Sequence, residues 1–348
     1  MQVSGIPYRT LWVGDDARSI NVIDQARLPG EFRVVRLASM VEVAHAIRTM
    51  QVRGAPLIGV AAAYGLCLAM VADSSDQALA EARATLLATR PTAVNLRWAL
   101  DVMETAVRRV TPGDRVAVAY DAAAGLAEDD VATCRQIGEH GEPVLRELWQ
   151  RNGAARPLQV LTHCNAGWLA AIDWGTALAP VYTAHDAGLP VHVWVDETRP
   201  RNQGYLTAWE LAEHGVPHTV IVDNAGGLLM RQGKVDVCLV GTDRTARNGD
   251  VANKIGTYLK ALAAFDNQVP FYAAVPSASV DWNLASGDDI PIEERNPDEV
   301  HSLPGIAAHN PAFDVTPARL VTGLITERGV CPASEAGLLS LFPERTNR

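Results

Sequence analysis

Hydrophobic and polar residues follow two different rhythms along this chain. In residues 10–37 the apolar runs TLWVG, INVIDQ and FRVVRL are short and separated by polar or Pro-Gly turns, a pattern typical of β-strands. From residue 39 to about residue 150 the apolar spacing is helical in successive segments, among them PLIGVAAAYGLCLAMVA and NLRWALDVMETAVRRV. The first half therefore predicts a small strand layer joined to a helix bundle.

The second half alternates between short apolar runs and helical segments. The runs LQVL, VHVWV, TVIV, VDVCLV and FYAAV are separated by segments such as LTAWELAEHG, an order typical of a doubly wound, mostly parallel, Rossmann-like sheet. No Gly-x-Gly-x-x-Gly sequence follows any of these runs, so a standard dinucleotide site is not expected. The predicted fold class is α/β, with the large sheet in the C-terminal half.

The length of the chain predicts two domains. Its 348 residues exceed the roughly 250–300 residues at which a single hydrophobic core stops growing. We expect an N-terminal domain over residues 1–150 that contributes phosphate ligands, and a Rossmann-like catalytic domain over residues 151–348. The segment RNGAARP, residues 151–157, has the composition of a linker between them.

Two features predict a cytoplasmic protein that does not enter a membrane. The apolar run at residues 57–72 is shorter than the roughly 20 residues of a spanning helix, so it predicts a buried helix. The N-terminal sequence MQVSGIPYRT lacks the apolar core of a signal peptide.

Charge and cysteine usage exclude several other functions. A net charge of -10 argues against nucleic acid as the main partner, although local basic groups still allow a small anion to bind. The five cysteines lack C-x-x-C spacing, and the nine histidines form no recognisable ligand set. Neither a disulfide framework nor a metal site is therefore expected.

Polar clusters follow four consecutive predicted strands. They occupy residues 162–165, 196–204, 223–224 and 241–244. Open α/β sheets bind ligands outside the carboxyl ends of their strands, so these clusters predict one site along one edge of the sheet.

Three short segments suggest a phosphate site. Asn253 and Lys254 are predicted to open a helix, where free N–H groups beside a lysine suit an anion; a simple N-cap and a solvated lysine are the alternative. Arg53 and Gly54 precede a proline at a predicted helix start, and Arg90 lies between two helices. Each arginine, taken singly, is equally suited to a structural ion pair.

Cys164 and Asp243 are the candidates for acid–base chemistry. Cys164 lies at a strand end beside polar residues, where nearby positive charge would favour the reactive thiolate. Asp243 follows the apolar segment CLVGT, and partial burial would keep its carboxyl protonated and able to donate a proton. His163 is interpreted either as a base or as a packed, hydrogen-bonded residue.

The segments MQVRGAPLIGVAAAYG, LTHCNAG, DETRPRNQG and DRTARNGDVANKIGTY resemble motifs of the methylthioribose-1-phosphate isomerase family. The resemblance covers nearly the whole chain. It implies conversion of an aldose 1-phosphate into a ketose 1-phosphate in methionine salvage, with no metal or nucleotide cofactor. It also implies a homodimer and a fold similar to regulatory subunits of the translation-initiation guanine-nucleotide exchange factor.

Carried over by motif, the resemblance implies that Cys164 and Asp243 are catalytic. The substrate-binding residues that it implies are Arg53, Gly54, Ala55, Arg90, Gln203, Asn253 and Lys254. Trp168 and Arg247 depart from the family pattern and are expected to reshape the pocket.

Three rival functions remain at this point. The first is a non-catalytic subunit that senses a sugar phosphate or a nucleotide. The second is an isomerase of 5-deoxyribose 1-phosphate or ribose 1,5-bisphosphate, for which Arg201, Arg244 and Arg247 offer cations. The third is a thiol hydrolase in which His163 and Asp196 activate the cysteine.

Overall fold

A computed structural model of the chain describes residues 1–90 and 93–346. Five short strands come first: β1 (Gln2–Val3), β2 (Ile6–Pro7), β3 (Leu11–Val13), β4 (Ile20–Ile23) and β5 (Val34–Leu37). Five helices follow: α1 (Met40–Arg48), α2 (Ala55–Ala72), α3 (Asp76–Leu87), α4 (Val94–Arg108) and α5 (Arg115–Arg151). Strands β3 to β5 form the predicted small antiparallel sheet, and β1 with β2 adds a hairpin that was not predicted.

Helix α2 is the central helix of the bundle. It contacts α1, α3, α4 and α5, and it is apolar on all sides. By length and composition alone this 18-residue helix is able to cross a membrane, but 72% of it is buried inside the protein. The prediction of a buried helix agrees with this, because a helix that is hydrophobic all round needs partners on every face.

The second half contains eleven strands and five helices. The strands are β6 (Leu158–Thr162), β7 (Val191–Asp196), β8 (His218–Ile221), β9 (Val237–Val240), β10 (Arg244–Ala246), β11 (Val251–Lys254), β12 (Phe271–Ala274), β13 (Val280–Asp281), β14 (Phe313–Thr316), β15 (Gly323–Thr326) and β16 (Gly329–Cys331). The helices are α6 (Ala179–Asp186), α7 (Gly204–His214), α8 (Ala225–Arg231), α9 (Thr257–Asp266) and α10 (Glu335–Leu341).

Seven of these strands form one sheet in the order β16-β15-β12-β9-β6-β7-β8. All neighbours are parallel except β15 and β16, which confirms the predicted mostly parallel, doubly wound sheet. The chain runs from β6 to β7 and β8 on one side and then crosses to β9 on the other side of β6. The strand order therefore reverses between β6 and β9, which is where open α/β sheets bind their ligands.

A second sheet, in the order β13-β10-β11-β14, was not predicted. Gly249, with a φ of 90°, allows the chain to turn between β10 and β11, which pair antiparallel. The prediction that Asn253 and Lys254 open a helix is consequently wrong. They are the last residues of β11, where they pair with β14, and α9 begins only at Thr257.

Helix α5 carries apolar contacts into both halves of the molecule. Its early residues Ala119 and Ala123 pack in the bundle, whereas Ile137 and Leu145 pack in the core formed with β6 and β7. The helix ends at Arg151, the first residue of the segment predicted as a linker. A domain boundary between residues 150 and 151 stays a prediction.

Candidate active site

Cys164 and Asp243 follow two neighbouring strands. Cys164 comes two residues after the end of β6, and Asp243 comes three residues after the end of β9, with β6 and β9 paired in parallel. Neighbouring strands lie about 4.8 Å apart, so the sheet brings both residues to the same edge. The Asp243 carboxylate acts electrostatically on the Cys164 thiol, as expected of two groups in one site.

The backbone at Cys164 is held in an uncommon conformation. Its φ is 73°, in the left-handed region, which costs a residue other than glycine about 1–3 kcal/mol. Two hydrogen bonds keep it there: the Cys164 N–H donates to Thr198 Oγ1 at 2.9 Å, and its carbonyl accepts from Thr207 Oγ1 at 2.9 Å. The hydroxyls of two separate segments thus fix where the thiol lies.

The Cys164 thiol experiences opposing influences. Burial raises its pKa because the charged thiolate loses solvation, whereas the positive charges of Arg53 and Lys254 lower it and the charge of Asp243 raises it. The raising influences prevail, so the pKa of the thiol lies above its usual value. A thiolate here depends on the two cations staying close.

Asp243 and Lys254 are coupled to the same set of charges. Burial raises the pKa of the Asp243 carboxyl, although Lys254, Arg90 and Arg53 act to lower it. Burial lowers the pKa of Lys254, which Cys164 and Asp243 act to raise. The Lys254 ammonium also lies 4.5 Å from the ring centroid of Phe313. Three cations therefore surround one thiol and one carboxyl, a suitable environment for a phosphorylated ligand.

Asp243 lines a small pocket, the Asp243 pocket, with about 50 Å³ of free space. Gly54, Ala55 and Arg90 from the first half also line it. The remaining lining residues are mostly apolar: Ile58, Ala93, Arg244, Ala252, Ile290, Pro291 and Phe313. Arg90 forms an ion pair with Glu293, in which Arg90 Nη2 lies 2.9 Å from Glu293 Oε2. The pocket thus combines an acid, two arginines and apolar walls.

The start of α2 packs against the loop that follows Cys164. A side chain at Gly54 would meet the backbone of Ala170 closer than van der Waals contact allows, and the φ of Gly54 is 93°. Only glycine fits this close approach. The neighbouring Arg53 donates through Nη2 to the Asn165 carbonyl at 2.9 Å and through Nη1 to its side-chain oxygen.

The start of α9 does not offer the predicted phosphate site. The Asp314 carboxylate accepts from the N–H groups of Gly256 at 2.7 Å and Tyr258 at 3.1 Å, so these donors are occupied. Asn253 is buried and donates to Thr257 Oγ1 at 3.0 Å. The prediction of a phosphate site built from free N–H groups at this helix start was therefore wrong, whereas the charge of Lys254 does act on Cys164 and Asp243.

Gln203 lies between Arg53 and Lys254. It is buried just before α7 and lines two cavities, one of about 200 Å³ shared with Arg53 and one shared with Lys254. In the described part of the chain its Oε1 has no hydrogen-bond partner. This places a polar group beside both cations.

Glu210 is a site residue that sequence reasoning missed. It is fully buried on α7 and accepts from Asn165 Nδ2 and from the Leu169 N–H at 3.2 Å. Because Asn165 in turn binds Arg53, Glu210 supports the arginine from behind. The sequence did contain a signal for a buried acid: Glu210 interrupts the apolar residues of the helical segment LTAWELAEHG, directly before the buried Leu211.

Burial raises the pKa of Glu210 to about 8, which predicts a pH-dependent stability. The unfolded chain releases this proton near the usual pKa of 4.5, so the contribution of Glu210 to stability falls as the pH rises from there to about 8. Glu210→Gln removes this dependence. The free energy of unfolding of the Glu210→Gln variant, minus that of the unmodified protein, is expected to rise between pH 4.5 and about 8 by up to about 1.4 kcal/mol per pH unit. A difference that stays constant with pH would contradict this.

The two departures from the family pattern lie outside the described lining of the Asp243 pocket. Trp168 is buried in the core, with its ring centroid 6.1 Å from that of Trp209. Arg247 pairs with Glu335 at 3.1 Å. Neither is among the residues described as lining the pocket, so an effect of either residue on its shape stays a prediction.

Comparison with known proteins identifies the family of this chain. The model of the Initiation factor 2 subunit family matches residues 51–333. Methylthioribose-1-phosphate isomerase of Methylorubrum populi is 61% identical, and that of Gluconobacter oxydans is 58% identical; each alignment covers 99% of both chains.

Solved structures show the same fold. The 5-methylthioribose 1-phosphate isomerase from Pyrococcus horikoshii OT3 superposes with a TM-score of 0.86 at 40% identity, covering 97% of this chain and 96% of that one. Subunit delta of the translation initiation factor eIF-2B from A. fulgidus superposes with a TM-score of 0.82 at 37% identity, covering 97% and 100%. The chain therefore belongs to the Initiation factor 2 subunit family and, within it, to the methylthioribose-1-phosphate isomerase family.

Proposed function

We propose that this protein converts 5-methylthioribose 1-phosphate into 5-methylthioribulose 1-phosphate, an aldose–ketose isomerisation in methionine salvage. Two relatives named methylthioribose-1-phosphate isomerase, 58% and 61% identical over almost the whole chain, support this reaction. The observation that carries the assignment to this site is the Asp243 pocket, where a carboxyl and Arg90 meet apolar walls. A phosphate suits the cations, and a methylthio group suits the apolar side chains.

Asp243 is proposed as the general acid. The anomeric oxygen of the substrate carries phosphate, so the ring cannot open through a free hydroxyl. The ring oxygen must leave C1 with a proton, and a carboxyl whose pKa is raised by burial retains one to give. After ring opening, the same carboxylate is available to take the proton of the 2-hydroxyl.

Cys164 is proposed as the partner at C2. As a thiolate it removes the C2 proton while the C1–O ring bond breaks, which leaves an enol phosphate, and it then returns the proton to C1. In an alternative route the C2 hydrogen moves to C1 as a hydride, and Cys164 acts at the 2-hydroxyl or electrostatically. Both routes balance in protons and electrons without a cofactor.

The cations are proposed to anchor the phosphate. Arg53, Arg90 and Lys254 all act on the charge of Asp243, and two of them act on Cys164. An anchored phosphate fixes the reacting carbons between thiol and carboxyl, so that positioning lowers the barrier.

A bisphosphate substrate is less well supported. Arg201 pairs with Glu299 at 2.9 Å and, unlike Arg90, is not among the residues described as lining the Asp243 pocket. Arg244 faces Asp281 at 3.5 Å, and Arg247 pairs with Glu335 at 3.1 Å. The apolar walls of the Asp243 pocket favour a methylthio group instead.

Two further alternatives fit the contacts poorly. In a thiol hydrolase His163 would accept the thiol proton, yet its two ring nitrogens contact Asp196 and the Ile255 carbonyl, each at 2.8 Å. A non-catalytic sensing subunit needs neither Cys164 nor Asp243, and the chain has both. A homodimer and a cytoplasmic location stay predictions from the resemblance and the N-terminal sequence.

The proposed reaction is tested with the purified protein and three substrates in deuterium oxide. We expect 5-methylthioribose 1-phosphate to react faster than its 5-deoxy and 5-phospho analogues, because only the methylthio group fills the apolar walls. Deuterium at C1 of the product supports proton abstraction by Cys164. Its absence is compatible with a hydride shift and with a shielded proton that Cys164 returns to C1 before it exchanges with solvent. Faster turnover of the 5-phospho analogue would reject the proposed substrate.

A further inference from the structure

His163, the residue before Cys164, is held at both ring nitrogens. Nδ1 lies 2.8 Å from Asp196 Oδ2, and Nε2 lies 2.8 Å from the carbonyl oxygen of Ile255. A carbonyl oxygen only accepts, so Nε2 carries a hydrogen and donates it. The ring is 1% exposed, which excludes water as a substitute partner on either side.

The carboxylate behind the ring is itself fixed. Lys260 Nζ lies 3.1 Å from Asp196 Oδ2 and also donates to the carbonyl of Asp223. His163, Asp196 and Asp223 lie close enough together to hold a metal ion, but the Lys260 ammonium already supplies the positive charge there. A side-chain carbon at Gly256 would lie 3.0 Å from the imidazole, so the ring is also packed from the other side.

The Ile255 carbonyl connects this ring to the site. Ile255 directly follows Lys254, whose ammonium acts on both Cys164 and Asp243. His163 directly precedes Cys164. The bond from His163 to Ile255 therefore ties the end of β6 to the end of β11, two segments 92 residues apart in sequence.

We propose that His163 is a positioning residue that, through the Ile255 carbonyl, holds Lys254 in place beside Cys164. This inference rests on the proposed isomerisation but concerns a different bond. The ring does not act on the substrate. The His163 ring sets the distance between the Cys164 thiol and the Lys254 ammonium, whose charge favours the thiolate.

Two substitutions separate the two ring contacts. The amide nitrogen of glutamine reaches about as far as Nε2, whereas that of asparagine reaches only about as far as Nδ1. His163→Gln therefore keeps the bond to Ile255, and His163→Asn keeps only the bond to Asp196. We expect His163→Asn to lower kcat by roughly 10- to 100-fold, and His163→Gln to recover most of that loss, since small misplacements of site groups have effects of this size.

Alkylation of Cys164 without substrate gives an independent reading. Lys254 lowers the pKa of the thiol, so its displacement in His163→Asn is expected to move the pH profile of alkylation to higher pH. Arg53 and Asp243, which also face the thiol, are unchanged in both variants. The modified peptide is identified by mass, because four other cysteines are present. His163→Gln is expected to keep the profile of the unmodified protein.

Equal kcat values or coincident alkylation profiles in the two folded variants would overturn the proposal, as would lower activity of the glutamine variant. If His163→Asn does not fold, His163→Gln decides alone. An unshifted profile with nearly normal kcat then supports the proposal, and a shifted profile or a kcat lowered by roughly 10- to 100-fold rejects it. Failure of the proposed isomerisation is distinguishable, because the unmodified protein would then be inactive while the alkylation profiles still differ.

Discussion

Cys164→Ser is expected to lower kcat by roughly 10²- to 10⁴-fold, the usual contribution of one acid–base group. Serine has nearly the same size, but its hydroxyl does not ionise in the range where Arg53 and Lys254 favour a thiolate. The Thr198 and Thr207 bonds to the backbone of residue 164 do not involve the sulfur and should persist. Steady-state kinetics should therefore show a loss in kcat with KM changed little.

Cys331→Ser is the matched control. Cys331 is a buried cysteine on the edge strand β16, away from the Asp243 pocket, and its replacement should leave kcat unchanged. Normal turnover in Cys164→Ser would remove the thiol from the mechanism. A comparable loss in substrate binding, measured by calorimetry, would assign Cys164 a structural role instead.

Asp243→Asn is expected to have an effect of similar size. Asparagine preserves the shape of the side chain but has no acidic proton to give to the departing ring oxygen. A general acid also contributes roughly 10²- to 10⁴-fold, so kcat should fall by this factor. Phosphate binding should persist, because asparagine, like the protonated carboxyl, is uncharged and leaves the charges of Arg53, Arg90 and Lys254 unchanged.

A substrate analogue whose ring heteroatom leaves C1 more easily tests directly whether Asp243 protonates the ring oxygen. Replacing the ring oxygen by sulfur reduces the need for protonation, so the difference between Asp243→Asn and the unmodified protein should narrow. Asp266→Asn, at the exposed end of α9, serves as the control for the chemical change. An Asp243→Asn protein with full activity would exclude the carboxyl as the acid.

The large sheet was predictable because its strands are local apolar runs. In LQVL and VDVCLV the residues that fill the core are adjacent in sequence, and the polar residues begin where each strand ends. The position of Cys164 at a strand end followed from that rhythm. The sheet made of β10, β11, β13 and β14 was not predictable in this way, since its strands are short and partly polar.

The strand that contains Asn253 and Lys254 was not predictable for a similar reason. Their local sequence is compatible with a helix start, but β11 gains backbone hydrogen bonds from β14, about 60 residues later in the chain. That gain is absent from any local window. The same holds for Glu210, whose function depends on Asn165, 45 residues earlier.

The amino-acid sequence by itself determined the class of the fold, the sheet edge at which the proposed site lies and the residue types available there. These follow from short-range patterns, because burial alternates over a few residues within each strand and helix. Only the tertiary structure decided which groups meet: Arg53 with Asn165 over 112 residues, and His163 with Ile255 over 92. Such contacts depend on how distant segments pack, and the pKa of each buried group depends in turn on those contacts.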